Sequence, residues 1–593
     1  MHKNRRSIAD SPKWPVVLIL AVAGLFTPAC PGQQTLPHLE RRGGVTQLVV
    51  NGKPLLLLAG ELHNSSPSSP AYMKPIWDDL KARHLNAVVG AASWELVEPV
   101  EGYYDYTAVD DQVRQAKAHG MKLVLIWFAS FKNASYTYTP MWVKRDPNRF
   151  PLAQTQPKSD PAARLRYANT LSVFGDASMK ADAHAFAALM AHLRAVDTAH
   201  TVVMIQIENE TGLRNDSRDR SPLADAAYRA PVPPELLSWM QSHRDTMLPE
   251  LHALWTANGE KTSGSWADLF GANPAGDEVF MAWFTARYLN TVAAAGKHEL
   301  ALPMYANAWL VQFDGQTPGD YPSGGPVSRM MDVWHLAAPS LSILAPDIYL
   351  GDFDGVCASY TREHSPLFIP EARASTANLL IAVAKYGAIG YSPFGIDGPA
   401  GDELLSSAYE ALGGLEAPIT AAQANGTIQL IPAASGGQVD LTLGGYTAHI
   451  ERGIHGAPPR PKKPDTSPAI TQDIPPAPGE TVHKPATPTP PPATPAGNGY
   501  LRPFDDRRQG LGILVPDGPD SFYVIGSGLA LTFSSNIPGT AARIGIADEG
   551  LFVDGHWTNG RRLNGDETGA NYRILFDPDR VRAIHVMLYR TPQ

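Results

Sequence analysis

The stretch Thr201 to Gly212 reads TVVMIQIENETG, a run of β-branched and apolar residues that stops at Glu208, Asn209 and Glu210. A buried strand ending this way delivers carboxylates to its C-terminal tip, where the following loop opens to solvent. A second acid, Glu371, closes the run Pro366, Leu367, Phe368, Ile369, Pro370, Glu371, 161 positions downstream of Glu210. Two carboxyl groups held about 5 to 5.5 Å apart can cleave a glycosidic bond with retention, one attacking the anomeric carbon and the other protonating the departing oxygen. That division of labour needs environments that keep one acid protonated and the other ionised. Taken singly, each glutamate also reads as a solvated loop residue or an ion-pair partner, and Glu61, Glu95 and Glu98 lie near strand ends too.

Two acids so far apart in sequence meet only if the fold brings strand ends together. From Leu55 onward, short apolar runs alternate with helical patterns eight times. The strands expected are Leu55 to Glu61, Asn86 to Ala91, Lys122 to Phe128, Thr201 to Ile207, Leu302 to Asn307, Leu341 to Ile348, Pro366 to Glu371 and Ala388 to Phe394. Eight strand–helix pairs predict an α/β chain folded as a (β/α)8 TIM barrel over 45–414, with Glu210 ending the fourth strand and Glu371 the seventh. Asp216 to Gly296 holds more than one helix and reads as an insertion over the barrel rim. After Leu412 the pattern turns to alternating antiparallel strands, predicting a C-terminal β-sandwich-like domain over 415–593. It is interrupted by Ala457 to Ala496, which places fourteen prolines in forty residues and predicts an extended tether without helix or ladder hydrogen bonds. A single sandwich is favoured over two domains, because the part before the tether offers only about three strands.

Composition narrows the partners. The formal charge of −9 on 593 residues argues against nucleic acid and anionic membrane. Residues 1–30 read as a secretory signal peptide: His2, Lys3, Arg5, Arg6 and Lys13 precede the apolar run Val16 to Phe26 and then Thr27, Pro28, Ala29 and Cys30. That run is short for a bilayer, and no later segment of about twenty apolar residues offers a transmembrane helix. Ala29 before Cys30 also resembles a lipoprotein cleavage site, making Cys30 a candidate for a lipid anchor, although Thr27 stands where that pattern prefers Leu. The expected location is secreted or periplasmic, with an outer-membrane lipoprotein as the variant. Cys30 and Cys357 are the two cysteines, so an internal disulfide and a cysteine metal site are not expected, and neither metal nor cofactor is called for.

An Asn-Glu pair at the end of strand four, with a second Glu ending strand seven, resembles the clan of retaining glycosidases built on this barrel. Within it, Gln206-Ile207-Glu208-Asn209-Glu210 is similar to the QVENEYG pattern of glycoside hydrolase family 35, the β-galactosidases. Trp94, Glu98 and Pro99 resemble its W-x-x-x-E-P loop, Gly102 and Tyr104 follow in step, Pro140 and Trp142 match its P-x-W, and Gly60-Glu61-Leu62-His63 resembles its G-E-F-H. The resemblance covers about Leu48 to Gly414, and the family's bacterial branch carries a β-rich C-terminal module. It implies a secreted, exo-acting, retaining β-galactosidase acting on oligosaccharides or plant polysaccharide side chains, with Glu210 as acid/base, Glu371 as nucleophile and Asn209 on the sugar 2-hydroxyl. On the resemblance alone Glu208 becomes a wall residue, since strand alternation would place it beside Glu210. Tyr349 and Arg373 are candidates to hold Glu371 ionised.

The chain departs from the family where its loops grip galactose. Ala91, Ala92, Ser93, Trp94 and Glu95 replace Y-V-P-W-N, and Phe128 to Asn133 replace P-Y-I-C-A-E. Glu95, Trp94, Lys132, Asn133 and Tyr391 are therefore the candidate sugar contacts, with the glycon left open. Other glycosidases of the clan, cutting mannosidic, glucosidic or xylosidic bonds, use the same two acids. A carbohydrate-binding protein on an inactive barrel is a rival from another class; intact Glu210 and Glu371 argue against it. A metal-dependent hydrolase is weaker, since no strand end offers a His-x-His pair.

Overall fold

Each of the eight apolar runs is a strand buried on both faces. In the computed structural model, which describes residues 35–156, 164–398, 402–453, 506, 509–553, 556–563, 565–568 and 573–593, they close a parallel barrel. Its strands are β1 (Leu57–Glu61), β2 (Ala87–Ser93), β3 (Lys122–Lys132), β4 (Val202–Asn209), β5 (Met304–Trp309), β6 (Ile343–Ile348), β7 (Ile369–Ala372) and β8 (Gly390–Pro393). Leu57, Ala59, Val89, Ala91, Val124, Ile126 and Phe128 fill the interior with Tyr305 and Phe368. The alternate residues Leu58, Val88, Leu123, Leu125 and Trp127 face the helices. This two-sided burial is why the sequence reads as continuous apolar runs. Seven strands lie within a few residues of expectation; β3 runs four residues past Phe128, to Lys132.

Four helices between Pro222 and Phe270 form the rim insertion. The long helix Pro274–Glu299 belongs instead to the barrel wall, where it packs on the helix Asp176–Val196. Gly296 permits the approach, since a Cβ there would sit 2.1 Å from Phe186 Cε1.

The C-terminal strands are β9 (Gln429–Ala434), β10 (Gln438–Leu443), β11 (Tyr446–Arg452), β12 (Gly510–Pro516), β13 (Ser521–Ser527), β14 (Leu529–Ser535), β15 (Thr540–Val553), β16 (His556–Arg562), β17 (Ile574–Leu575) and β18 (Arg582–Pro592). One sheet has the order β9-β12-β13-β18-β15-β16, the other β10-β11-β14-β17. Strands from before and after the proline-rich stretch pair directly, β9 with β12 and β11 with β14. Ile431, Tyr446 and Ile450 from the first part share a core with Leu514, Val524, Leu531 and Val586 from the second. The polar strand β16, HWTNGRR, carries no apolar alternation and was invisible to periodicity; it forms an edge beside β15. Asp506 Oδ2 accepts from Ser375 Oγ and Ala377 N, both at 3.0 Å, and Val581 N donates to Ser407 Oγ at 3.0 Å, tying this module to the barrel's last helices.

The leader read at 1–30, with Cys30, and the tether 457–496 lie outside the described residues. Among the described residues no helix is long and apolar enough to cross a membrane. The chain leaves β11 at Gly453 and re-enters at Gly510, where a Cβ would lie 2.5 Å from Gly453 N, so the two ends of the intervening segment are neighbours. Deleting 457–496 is therefore expected to leave the melting temperature within about 3 °C of the full chain, because closing a shorter loop between adjacent ends costs little entropy. Calorimetry of the two proteins checks this, and a collapse of the transition would show that the segment carries structure.

Candidate active site

β3 and β4 are paired from Leu123 and Val202 up to Trp127 and Ile207, and the next matched pair is Lys132 with Asn209. Four residues of β3, Phe128 to Phe131, thus face the single residue Glu208, three more than the ladder can pair. A bulge leaves backbone N–H groups without ladder partners. Glu208 supplies them: Oε2 accepts from Ala129 N at 3.2 Å and Phe131 N at 2.8 Å, and Oε1 from Ser130 N at 3.1 Å. Strand alternation would have put Glu208 beside Glu210, but both residues adopt left-handed backbone, φ 58° and 45°, and the alternation ends there. Behind Glu208 lies Asp182, which accepts from Trp127 Nε1 at 2.8 Å and Ser130 Oγ at 2.5 Å. Burial and the adjacent Asp182 push the Glu208 carboxyl well above the usual range, so the pair retains a proton.

The bulge lifts Lys132 into the barrel mouth. Lys132 Nζ donates to Asn209 Oδ1 at 2.8 Å and lies 5.0 Å from the Phe128 ring centroid. An ammonium only donates, so it fixes the Asn209 amide with its oxygen toward Lys132 and its Nδ2 free, and that buried Nδ2 has no partner. Asn133 stands exposed at the rim, φ 51°, its N–H donating to Asn209 O at 3.2 Å.

Glu210, Asp347 and Glu371 converge, one carboxylate oxygen of each lying within 4.8 Å of the others. Asp347 on β6 is directly paired with Glu371 on β7. Asn307 from β5 bridges the cluster: its Oδ1 accepts from Glu210 N at 2.9 Å and its Nδ2 donates to Asp347 Oδ2 at 2.7 Å. Tyr349 OH donates to Glu371 Oε1 at 2.5 Å, leaving the buried Oε2 unpartnered. Burial, then the Glu371 charge, push Glu210 up to about 8, against the opposing effects of Lys132, an Asp347 hydrogen bond and Arg214. Asp347 is raised well above its ordinary range by burial and by Glu371, Glu210 and Glu61. The same three carboxylates are also an oxygen donor set that a hard divalent cation could use.

Three expected sugar contacts lie elsewhere. Trp94 is fully buried with Nε1 on Glu98 Oε2 at 2.8 Å, and Glu98 Oε1 accepts from Gly102 N at 2.8 Å, so the W-x-x-x-E-P motif is a loop brace. Glu95 points outward to Lys144, Oε2 to Nζ 3.5 Å, because the turn Trp94–Val97 rotates it away from the mouth. Tyr391 packs on the helix side of β8 with its OH on Arg373 O at 2.5 Å. Sequence reasoning missed Asp347 and Asn307, and left Glu61 unranked; the only signal was a polar residue ending an apolar strand.

Residues 70–267 match the family model described as β-galactosidase, glycoside hydrolase family 42, a different family from family 35. The match includes Asn209 and Glu210 and ends before Glu371. Residues 405–574 match a domain of unknown function, DUF5597. A β-galactosidase of Xanthomonas manihotis is 35% identical over 114 residues, 19% of this chain and 18% of that protein, so the match spans under a fifth of the relative's length. Among solved structures, the β-amylase catalytic domain of Paenibacillus polymyxa aligns with TM-score 0.39 at 13% identity over 57% of this chain and 92% of that one. The β-galactosidase of Rahnella sp. R3 aligns at 0.37 and 15% over 58% and 50%. Likenesses this distant add nothing to the barrel seen directly. The barrel is seen directly, and within it residues 70–267 resemble a β-galactosidase family model.

Glu208→Ala would strand three buried N–H groups, each costing about 1–3 kcal/mol. Urea unfolding is expected to show a loss of about 3 kcal/mol or more, with a smaller loss for Glu208→Gln, which keeps one acceptor oxygen.

Proposed function

We propose that this chain is a retaining, exo-acting β-galactosidase, with Glu371 as nucleophile and Glu210 as acid/base. The observation that carries the reading is the approach of the two acids: oxygens within 4.8 Å suit direct attack, whereas inversion needs carboxyl groups about 6.5–9.5 Å apart to admit water. The Tyr349 hydrogen bond to Oε1 fixes the Glu371 carboxylate and leaves its unpartnered Oε2 to attack the anomeric carbon. Glu210, at about 8, keeps its proton at neutral pH and gives it to the departing oxygen. Once Glu371 becomes a neutral ester its charge no longer raises Glu210, which then accepts the proton of the incoming water. Asn209 Nδ2, oriented by Lys132, is placed to donate to the sugar 2-hydroxyl as charge develops at the ring. Galactose as the glycon and exo action are supported by the β-galactosidase match and by the motif resemblance. Secretion to the periplasm or beyond follows from the leader read at 1–30.

A panel of aryl glycosides tests the glycon, with fastest release expected from the β-galactoside. Glu371→Gly is expected to lose turnover by about 10⁴-fold or more, and added azide to restore release of an activated aryl galactoside as the α-galactosyl azide. A β product would reverse the two roles. Turnover is expected to survive exhaustive chelation; its loss would assign the three carboxylates to a metal instead.

The pH dependence has a definite sign. A general acid must be protonated, so kcat/KM is expected to fall as pH rises past about 8. The folded pKa of Glu210 is raised above its ordinary 4.5, so the stability linked to its proton is full below 4.5 and is lost as pH rises through about 8. Glu210→Gln should accordingly melt higher than the wild type at pH 9.

A further inference from the structure

Glu61 ends β1 at the same mouth and has no part in the double displacement. It is 1% exposed, and its Oε1 is buried without a hydrogen-bond partner. Its carboxyl lies close enough to Glu371 and Glu210 to feel their charge, with Lys132 offsetting them. Tyr305 of β5, fully buried, also carries an unpartnered hydroxyl close enough to Glu61 to feel its carboxyl. The chain's structural acids look different: Glu98 and Glu208 are as deeply buried, and each of their oxygens accepts an N–H. A buried acceptor left open among other acids is costly in the empty protein, and a ligand that brings donors repays it.

Burial, then the Glu371 charge, push the Glu61 carboxyl well above its usual range, yet its open Oε1 still accepts, and an ammonium only donates, so Glu61 and Lys132 together fit neighbouring hydroxyls, which do both. Four acids around the mouth, Glu61, Glu210, Asp347 and Glu371, oppose a ring that carries its own carboxylate. We infer that Glu61 is a specificity residue: it accepts from ring hydroxyls of the sugar whose anomeric carbon faces Glu371, Lys132 donates beside it, and the mouth selects a neutral glycon over a uronic acid. This rests on the glycosidase reading above.

The test uses the full chain, wild type and Glu61→Gln. The substrates are the aryl glycoside turned over fastest, its analogues lacking the hydroxyl at C3, C4 or C6, and the corresponding uronide. Wild type is expected to lose about 10³-fold or more in kcat/KM on at least one deoxy analogue and on the uronide. Glu61→Gln is expected to lose about 10²-fold on the parent while its penalty for that same analogue shrinks below about tenfold. Its melting temperature should match or exceed that of wild type, since a neutral side chain relieves the crowding of acids, whereas a merely structural Glu61 would lower it. Equal loss on every substrate, a lowered melting temperature with selectivity intact, or fast turnover of the uronide would overturn the assignment. A wild-type chain inert toward every glycoside overturns the glycosidase reading itself and this inference with it.

Discussion

The barrel mouth depends on one carboxylate. Glu208 fills the gap where β3 runs three residues longer than its partner strand, and its two oxygens take up three N–H groups that would otherwise be buried and unpaired. Without that acceptor β3 could not keep its bulge in a water-free wall. The bulge in turn lifts Lys132 over the mouth, and Lys132 sets the Asn209 amide. The acid that strand alternation would place beside Glu210 thus works outside the mouth, and the geometry inside follows from it.

The second constraint is charge. Glu61, Glu210, Asp347 and Glu371 share a small buried volume in which only some can ionise. Lys132 and Arg214, whose guanidinium lies 4.6 Å from the Trp309 ring centroid, offset part of the field at Glu210. Burial and the neighbouring Glu371 raise Glu210, while Tyr349 donates to Glu371 Oε1, so the two glutamates have different surroundings. In the proposed roles, acid and nucleophile are told apart by surroundings, since both are glutamates at strand ends.

Most of the barrel was legible. Continuous apolar runs of six to eight residues bounded by helical periodicity are what two-faced burial requires, and all eight became strands. The sandwich was legible for the same reason on alternating strands, with β16 lost because an exposed edge strand needs no apolar face. At the mouth the sequence had named Glu210, Glu371, Asn209, Lys132 and Tyr349, their roles read through motif resemblance or from the places where the chain departs from it. Trp94 and Tyr391 misled because an aromatic at a strand end reads the same whether it faces a sugar or a helix. Glu95 misled because one turn of helix after β2 changes the direction of every side chain in it.

What the sequence determined by itself is the order of strands and helices, and with it the fact that β4 and β7 end at one mouth. Hydrophobic periodicity is local, so one chain read in a line suffices to find it. Tertiary structure alone decided which polar residues meet: Asp347 with Glu371 through strand register, Asn307 between Glu210 and Asp347, Lys132 with Asn209 across a bulge, and Glu61 from the first strand facing acids from the fourth, sixth and seventh. Those contacts depend on register, on a bulge and on two left-handed residues, which the balance of hydrogen bonds across neighbouring strands fixes only when the barrel closes.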